Sequence, residues 1–149
     1  MSGRSNRTFC KKERIVSRKL VETLFQGGCS RSKVAFPLRM VYMEAERKEN
    51  DEAVQVLVSV SKRHFKNAVD RNRVKRQIRE AYRQNKHFLV DTVKRIDGLA
   101  LPVVFIWLSD SISDSGQVNS RMKVLLRGVS EKLVARHCRM ADTDNEMTL

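Results

Sequence analysis

The fold is decided by a stretch that begins with Val58-Ser59-Val60-Ser61-Lys62-Arg63 and continues, after a short turn, with Ala68-Val69-Asp70-Arg71-Asn72-Arg73-Val74-Lys75-Arg76-Gln77-Ile78-Arg79-Glu80-Ala81-Tyr82-Arg83. Alternation in the first part predicts a strand, and apolar residues at helical spacing in the second predict an amphipathic helix. The segment from Lys62 to Lys86 contains ten Lys and Arg against two acids, so it holds +8 of the chain's net charge of +13. Such concentrated charge predicts a polyanionic partner.

The predicted helix has two faces when successive residues are placed about 100° apart. The apolar face should pack, and consists of Val74, Ile78, Ala81, Tyr82, Asn85, Phe88 and Leu89. The cationic face consists of Lys75, Arg76, Arg79, Arg83 and Lys86, with Asn72 among them, Arg71 at the border of the packed face and Arg73 to the side. The alternative interpretation is that the cationic face is merely hydrated and binds no partner. Phosphate binding is favoured because the planar fork of arginine suits bidentate phosphate contacts, and because close like charges destabilise an isolated helix.

Length and composition favour a globular protein. With 149 residues and 41% hydrophobic content, the chain fits one domain with a buried core. The longest apolar run, Leu99 to Leu108, is too short to cross a bilayer, so no membrane partner is expected. The basic, polar start of the chain is unlike a secretory signal, which favours a cytoplasmic location. The three cysteines and three histidines are scattered, so neither a metal site nor a disulfide framework is predicted.

The sequence predicts a flexible basic arm over residues 1–14, one domain over 15–139 and a disordered acidic tail over 140–149. The domain should begin with a short helix that ends at Gly27-Gly28. The pattern predicts a strand over Val34–Met43, placed at an edge by Pro37 and with Phe36, Leu38, Met40 and Tyr42 on one face. A strand over Val54–Ser61 and the basic helix, with Asn67 as its cap, come next. A buried strand over Leu101–Leu108 and a last helix over Gln117–His137 complete the predicted domain.

No catalytic residue emerges from the sequence. There is no histidine pair, carboxylate cluster or activated nucleophile at useful spacing, and Asp70 and Glu80 should pair with neighbouring arginines. A binding protein of the ribosome or of another ribonucleoprotein is one alternative. A basic-helix DNA-binding protein is a more distant one, since no heptad zipper accompanies the helix, and no DNA partner is expected.

The quoted strand and helix closely resemble the signature of the protein subunit of bacterial ribonuclease P. Glu13-Arg14 and Thr23-Leu24-Phe25-Gln26-Gly27-Gly28 resemble the first helix of that family, and a weaker likeness covers most of residues 9–137. The resemblance implies a single-domain α+β fold, an α/β sandwich in the order helix-strand-strand-strand-helix-strand-helix, similar to ribosomal protein S5 domain 2. It also implies a subunit that assists a catalytic RNA in removing the 5′ leader from precursor tRNA. Catalysis then belongs to the RNA, which also holds most of the Mg²⁺.

The resemblance further implies two binding sites. The residues that correspond to the motif for docking the catalytic RNA are Arg71, Asn72, Arg73, Lys75, Arg76, Arg79 and Arg83. The residues that correspond to the leader cleft are Phe25, Lys62, Arg63, Phe65 and Arg71. Val21 replaces an aromatic residue usual in the family, so Phe65, between His64 and Lys66, is expected to be exposed and to stack on RNA bases. Phe25 and Phe65 can equally belong to the core, and the sequence leaves this open.

Overall fold

The computed structural model describes residues 22, 30–47 and 52–147, with side chains described as far as residue 137. The predicted basic arm and Phe25 lie outside these residues. The predicted first helix also lies outside them, apart from Glu22, which is helical.

The described residues form five strands and three helices. They are β1 (Arg31–Ala35), β2 (Leu38–Tyr42), β3 (Ala45–Glu46), β4 (Val54–Ser59), α1 (Ala68–Asn85), α2 (His87–Arg95), β5 (Leu99–Trp107) and α3 (Ser115–Met147). The order agrees with the predicted mixed fold, except that α2 and a fourth strand before α1 were not predicted.

Strand β5 lies in the centre of the described sheet. β1 pairs antiparallel with β2, and β2 pairs antiparallel with β5, with Leu38 opposite Trp107. β3 continues the same ladder, since Ala45 lies opposite Ala100. β4 runs parallel to β5 on its other side, with Val58 opposite Phe105. Strands β1 and β4 are therefore the two edges of the sheet in the described part of the chain.

The single strand predicted over Val34–Met43 is in fact a hairpin. The Phe36-Pro37 bond is cis and lies in the turn between β1 and β2, where proline has no N–H to contribute to a ladder. The Pro37 carbonyl accepts a hydrogen bond from the Leu108 N–H at 2.8 Å. Phe36 consequently leaves the inward face on which the alternation placed it and is 62% exposed. The edge strand is β1, whereas β2 is an interior strand.

The three helices and the sheet enclose the main core. Its largest fully buried side chains include Trp107, Tyr82, Phe105, Leu38, Met40, Ile78 and Leu89. A smaller cluster, made of Val41, Met43 and Val104 with Leu57 and Ile106 packed against it, occupies the other face of the sheet. The burial of Val74 and Ile78 confirms the predicted orientation of the basic helix.

The helix ends differ from the predicted ones. The sequence predicts that the apolar face of the basic helix continues through Phe88 and Leu89. In the structure α1 ends at Asn85, and α2 starts at His87. Lys86, assigned to the cationic face, lies at this junction and is buried; its carbonyl accepts hydrogen bonds from two N–H groups of α2. Helix α3 continues to Met147, past the predicted end at His137 and into the predicted tail, because no glycine or proline follows Gly128 to stop it.

Candidate nucleic-acid interface

The cationic face of α1 is open to solvent along its length. Asn72, Arg73 and Arg76 are exposed, and Lys75 is half-buried. Arg79 is also half-buried. The opposite face of the helix is anchored in the core, so these side chains are presented from a rigid element. Such a surface can contact several phosphates without any rearrangement of the backbone.

Arg83 differs from its neighbours because it forms an ion pair within the helix. Its Nη2 lies 2.5 Å from Glu80 Oε1 and its Nε lies 3.0 Å from Oε2. Gln84 Nε2 donates to the same carboxylate at 3.1 Å. These hydrogen bonds lower the pKa of Glu80, and the carboxylate raises the pKa of Arg83. The predicted pairing of Glu80 is confirmed. No described cation pairs with Asp70, which lies in the first turn, where a carboxylate favours the helix dipole.

Arg71 holds the turn before α1 in place. Its Nη1 donates to the backbone carbonyl of Phe65 at 2.8 Å and to that of Lys66 at 3.0 Å. Both hydrogen bonds have a charged donor, and such bonds are about twice as strong as neutral ones. The sequence placed Arg71 in both RNA sites. In the structure, these hydrogen bonds of the guanidinium connect α1 to the turn that carries Lys62 and Arg63.

The expectation that Phe65 is exposed is wrong. The Ser61 carbonyl accepts hydrogen bonds from the backbone N–H groups of His64 and Phe65, so the chain turns back on itself. This turn directs the Phe65 ring into the main core, where only 7% of the residue is exposed. The ring is therefore not available for stacking on RNA bases. Lys62 and Arg63, at the tip of the same turn, are exposed.

A distant loop braces this turn and α1. The His64 ring Nδ1 lies 2.6 Å from Asp110 Oδ1, and Gln77 Nε2 donates to the Ser113 carbonyl at 3.0 Å. The loop that follows β5 therefore contacts both the turn and the basic helix. Neither contact carries a sequence signal, since the partners lie 46 and 36 residues apart.

Phe36 is an exposed aromatic residue at the same end of the sheet. Phe36 lies in the turn just before Leu38, and Leu38 is paired with Trp107 near the end of β5. The turn with Lys62 and Arg63 follows the last residue of β4, which is paired with Ile106 of β5. Both turns therefore lie near the carboxyl end of β5. The sequence did not single out Phe36 because its alternation with Leu38 was read as one continuous strand.

Among the side chains that the structure describes, in residues 22, 30–47 and 52–137, no group of three His, Cys, Asp or Glu could hold a metal ion. No helix of the described ranges is long and apolar enough to cross a membrane.

Comparison with known proteins gives a consistent result. The family model for Ribonuclease P matches residues 9–113. The chain belongs to the ribonuclease P protein family. The ribonuclease P protein component of Porphyromonas gingivalis is 40% identical over 119 residues, covering 78% of this chain and 83% of that protein. The protein component of Chlorobium phaeobacteroides is 38% identical over 91 residues, covering 60% of this chain and 61% of that protein.

The family fold is seen in a solved structure as well. The ribonuclease P protein from Thermotoga maritima superposes with a TM-score of 0.57 at 20% identity, covering 77% of this chain and 96% of that one. The predicted α/β sandwich is thereby confirmed. Membership in the family assigns the chain to tRNA 5′ processing as a subunit of an endoribonuclease, which confirms the predicted activity.

Proposed function

We propose that this subunit binds the catalytic RNA of ribonuclease P through the cationic face of α1. The observation that carries the proposal is the exposure of Arg73 and Arg76 on a helix whose other face is buried. The docking face also includes Asn72, Lys75 and Arg79. Arg83 belongs to the same face, but its charge is partly neutralised by its ion pair with Glu80. Arginine on a fixed helix suits phosphate oxygens, which accept two parallel hydrogen bonds from one guanidinium.

The 5′ leader of precursor tRNA is proposed to bind at the nearby end of the sheet. Lys62 and Arg63 supply charge there, and Phe36 supplies an exposed ring for base stacking. Arg71 acts as a positioning residue, since it fixes the turn through the Phe65 and Lys66 carbonyls. Phe25, which lies outside the described residues, completes the leader site in this proposal.

The chemical step is proposed to belong to the RNA. Phosphodiester hydrolysis needs Mg²⁺ to activate water and to stabilise the leaving oxygen, and in this proposal the catalytic RNA holds most of these ions. The protein contributes cations that lower repulsion between the catalytic RNA and the precursor, so the holoenzyme should work at lower Mg²⁺ than the RNA alone. This activity belongs in the cytoplasm.

The docking face is tested with the double variant Arg73→Ala, Arg76→Ala. A matched control is Lys94→Ala, Arg95→Ala, which removes the same charge from exposed positions at the end of α2. Affinity for the catalytic RNA is measured over a series of salt concentrations at fixed Mg²⁺. We expect the first variant to bind more weakly, with a slope of log affinity against log salt that is flatter by about 1.4–1.8. Equal slopes in the two variants would reject the docking face.

The leader site is tested with Lys62→Ala, Arg63→Ala in the reconstituted holoenzyme. The measured quantity is the ratio of the dissociation constants for mature tRNA and for precursor tRNA with a multi-nucleotide leader. We expect the ratio to fall by about five- to thirtyfold, because two exposed charge contacts contribute roughly 0.5–1 kcal/mol each. An unchanged ratio in a folded variant removes these residues from the leader site and leaves the docking face untouched.

A further inference from the structure

A row of cations follows the seam between α3 and the edge strand β1. Arg121, Gly128 and Lys132 lie on one stripe of α3, because residues seven and eleven positions apart return to nearly the same side of a helix. Gly128 faces Lys33 of β1 so closely that a methyl group there would overlap the Lys33 ammonium. Alternation places Arg31 on the same side of β1 as Lys33. We call Arg31, Lys33, Arg121 and Lys132 the lateral strip.

The charges of the lateral strip are not neutralised locally. In the part of the chain whose side chains are described, none of its four residues forms an ion pair with a carboxylate. Glu44 lies near one end, but it is already paired, with Arg136 at 2.7 Å and with His137 at 2.6 Å. Glu131 precedes Lys132 by one position and so projects from α3 about 100° away. The strip therefore presents four cations that have no carboxylate partner in this part of the chain.

One end of the lateral strip opens into a cavity of about 330 Å³. Its walls include Arg31, Lys132 and Arg136, together with Tyr42 and Glu44. The Glu44 carboxylate would repel an anion, but it is paired with Arg136 and His137. Arg31 and Lys132 then remain as the cationic donors at the cavity, and phosphate oxygens are suitable acceptors for them.

The lateral strip lies at the opposite edge of the sheet from the docking face. It follows β1, whereas α1 is connected to β4, and these strands are the two described edges. Arg121 and Lys132 are separated by about 16 Å along the helix axis, so one phosphate group cannot contact both of them. A partner must be large to meet both surfaces of one subunit.

We propose that the lateral strip is a second docking surface for the catalytic RNA, and that it contacts the phosphate backbone of a segment other than the one on α1. The inference rests on the proposed function in taking the catalytic RNA as the partner. The short leader of precursor tRNA is a poorer candidate, since Arg31 and the cavity lie away from the end of the sheet at which Phe36, Lys62 and Arg63 form its proposed site.

The test uses the double variant Arg121→Ala, Lys132→Ala, with Lys94→Ala, Arg95→Ala as the control of equal charge. Both pairs are exposed and each removes one Arg and one Lys. Each protein is bound to the catalytic RNA over a salt series, and the RNA positions it protects are mapped by hydroxyl-radical cleavage. We expect the strip variant to bind more weakly, with a salt slope flatter by about 1.4–1.8, and to lose protection at one RNA segment. Thermal melts verify that both variants are folded.

The protection map separates this inference from the proposed function. Loss of protection at a segment that Arg73→Ala, Arg76→Ala leaves protected supports two docking surfaces. Wild-type affinity and slope in the strip variant, with weakened binding in the α1 variant, overturn the lateral strip and leave the docking face standing. Weaker binding of precursor tRNA to the strip-variant holoenzyme, with unchanged binding of the catalytic RNA, also overturns the assignment. If neither variant affects the catalytic RNA, the docking face fails as well.

Discussion

The burial of Phe65 predicts that its replacement acts on stability and not on RNA stacking. Truncation of a buried phenylalanine to alanine removes its apolar contacts and leaves a cavity, at a cost of about 3–5 kcal/mol. Because only 7% of Phe65 is exposed, we expect Phe65→Ala to reach this range. For a chain of 149 residues this corresponds to a fall in melting temperature of roughly 6–20 °C.

The variant Phe65→Leu separates the two roles of the ring. Leucine keeps an apolar side chain in the core, so the stability loss should be about 1–1.5 kcal/mol, but it cannot stack on a base. Melts by circular dichroism give the stability, and the holoenzyme gives the dissociation constants for precursor and mature tRNA. We expect Phe65→Leu to keep the wild-type ratio of these constants. A well-folded Phe65→Leu protein that loses selectivity for the precursor would refute the assignment of Phe65 to the core.

Three further substitutions test neighbouring features. Ile78→Asp should unfold the domain, because it places an unpaired charge at a fully buried position, and a melt like that of the wild type would contradict the orientation of α1. Glu80→Gln should strengthen binding to the catalytic RNA, since it releases Arg83; weaker binding would show that the ion pair itself is needed. Gly128→Ala should raise the melting temperature by up to about 2–4 °C, unless Lys33 cannot move aside.

The ion pair of Glu80 also gives a pH dependence. Its folded-state pKa lies below the ordinary value of 4.5, so the unfolded chain binds the proton more readily. The contribution of the pair to stability is present above about pH 4.5 and disappears as the pH falls through the folded pKa. Glu80 is largely exposed, so this contribution is small, about 0.5 kcal/mol or less. Wild type and Glu80→Gln should therefore differ slightly in melting temperature at pH 7, and the difference should shrink as the pH falls below about 4.5.

The features that the sequence predicts well are those with a strong local period. The apolar positions of α1 recur at helical spacing over four turns, and Val74, Ile78 and Tyr82 are indeed buried. The alternation of Val54, Val56 and Val58 likewise identified β4 and its inward face. In both cases one side of the element contacts the core along its whole length, so the packing imposes the period that the sequence shows.

The features that escaped prediction depend on contacts between distant residues or on turn geometry. Phe65 is expected to be exposed because His64 and Lys66 flank it. In the structure, the turn held by the Ser61 carbonyl directs the ring into the core. The hydrogen bonds of Arg71 to two backbone carbonyls likewise had no sequence signal, and its contact with RNA stays a prediction. The polarity of neighbouring residues indicates whether a residue is exposed only where the backbone is a regular helix or strand. In a turn, neighbouring side chains can point in unrelated directions.

Counting the basic residues of the helix gives an upper limit for the charge that can contact RNA. Of the seven residues predicted to dock the catalytic RNA, Asn72 is neutral and Arg83 shares its charge with Glu80. The other five are cations: Arg71, Arg73, Lys75, Arg76 and Arg79. The hydrogen bonds of Arg71 to two neutral carbonyls fix its position and leave its charge in place. Each phosphate contact contributes about 0.7–0.9 to the salt slope, so five cations contribute at most roughly 3.5–4.5. A measured slope well above this value requires cations elsewhere on the subunit, and the lateral strip places four of them in one row.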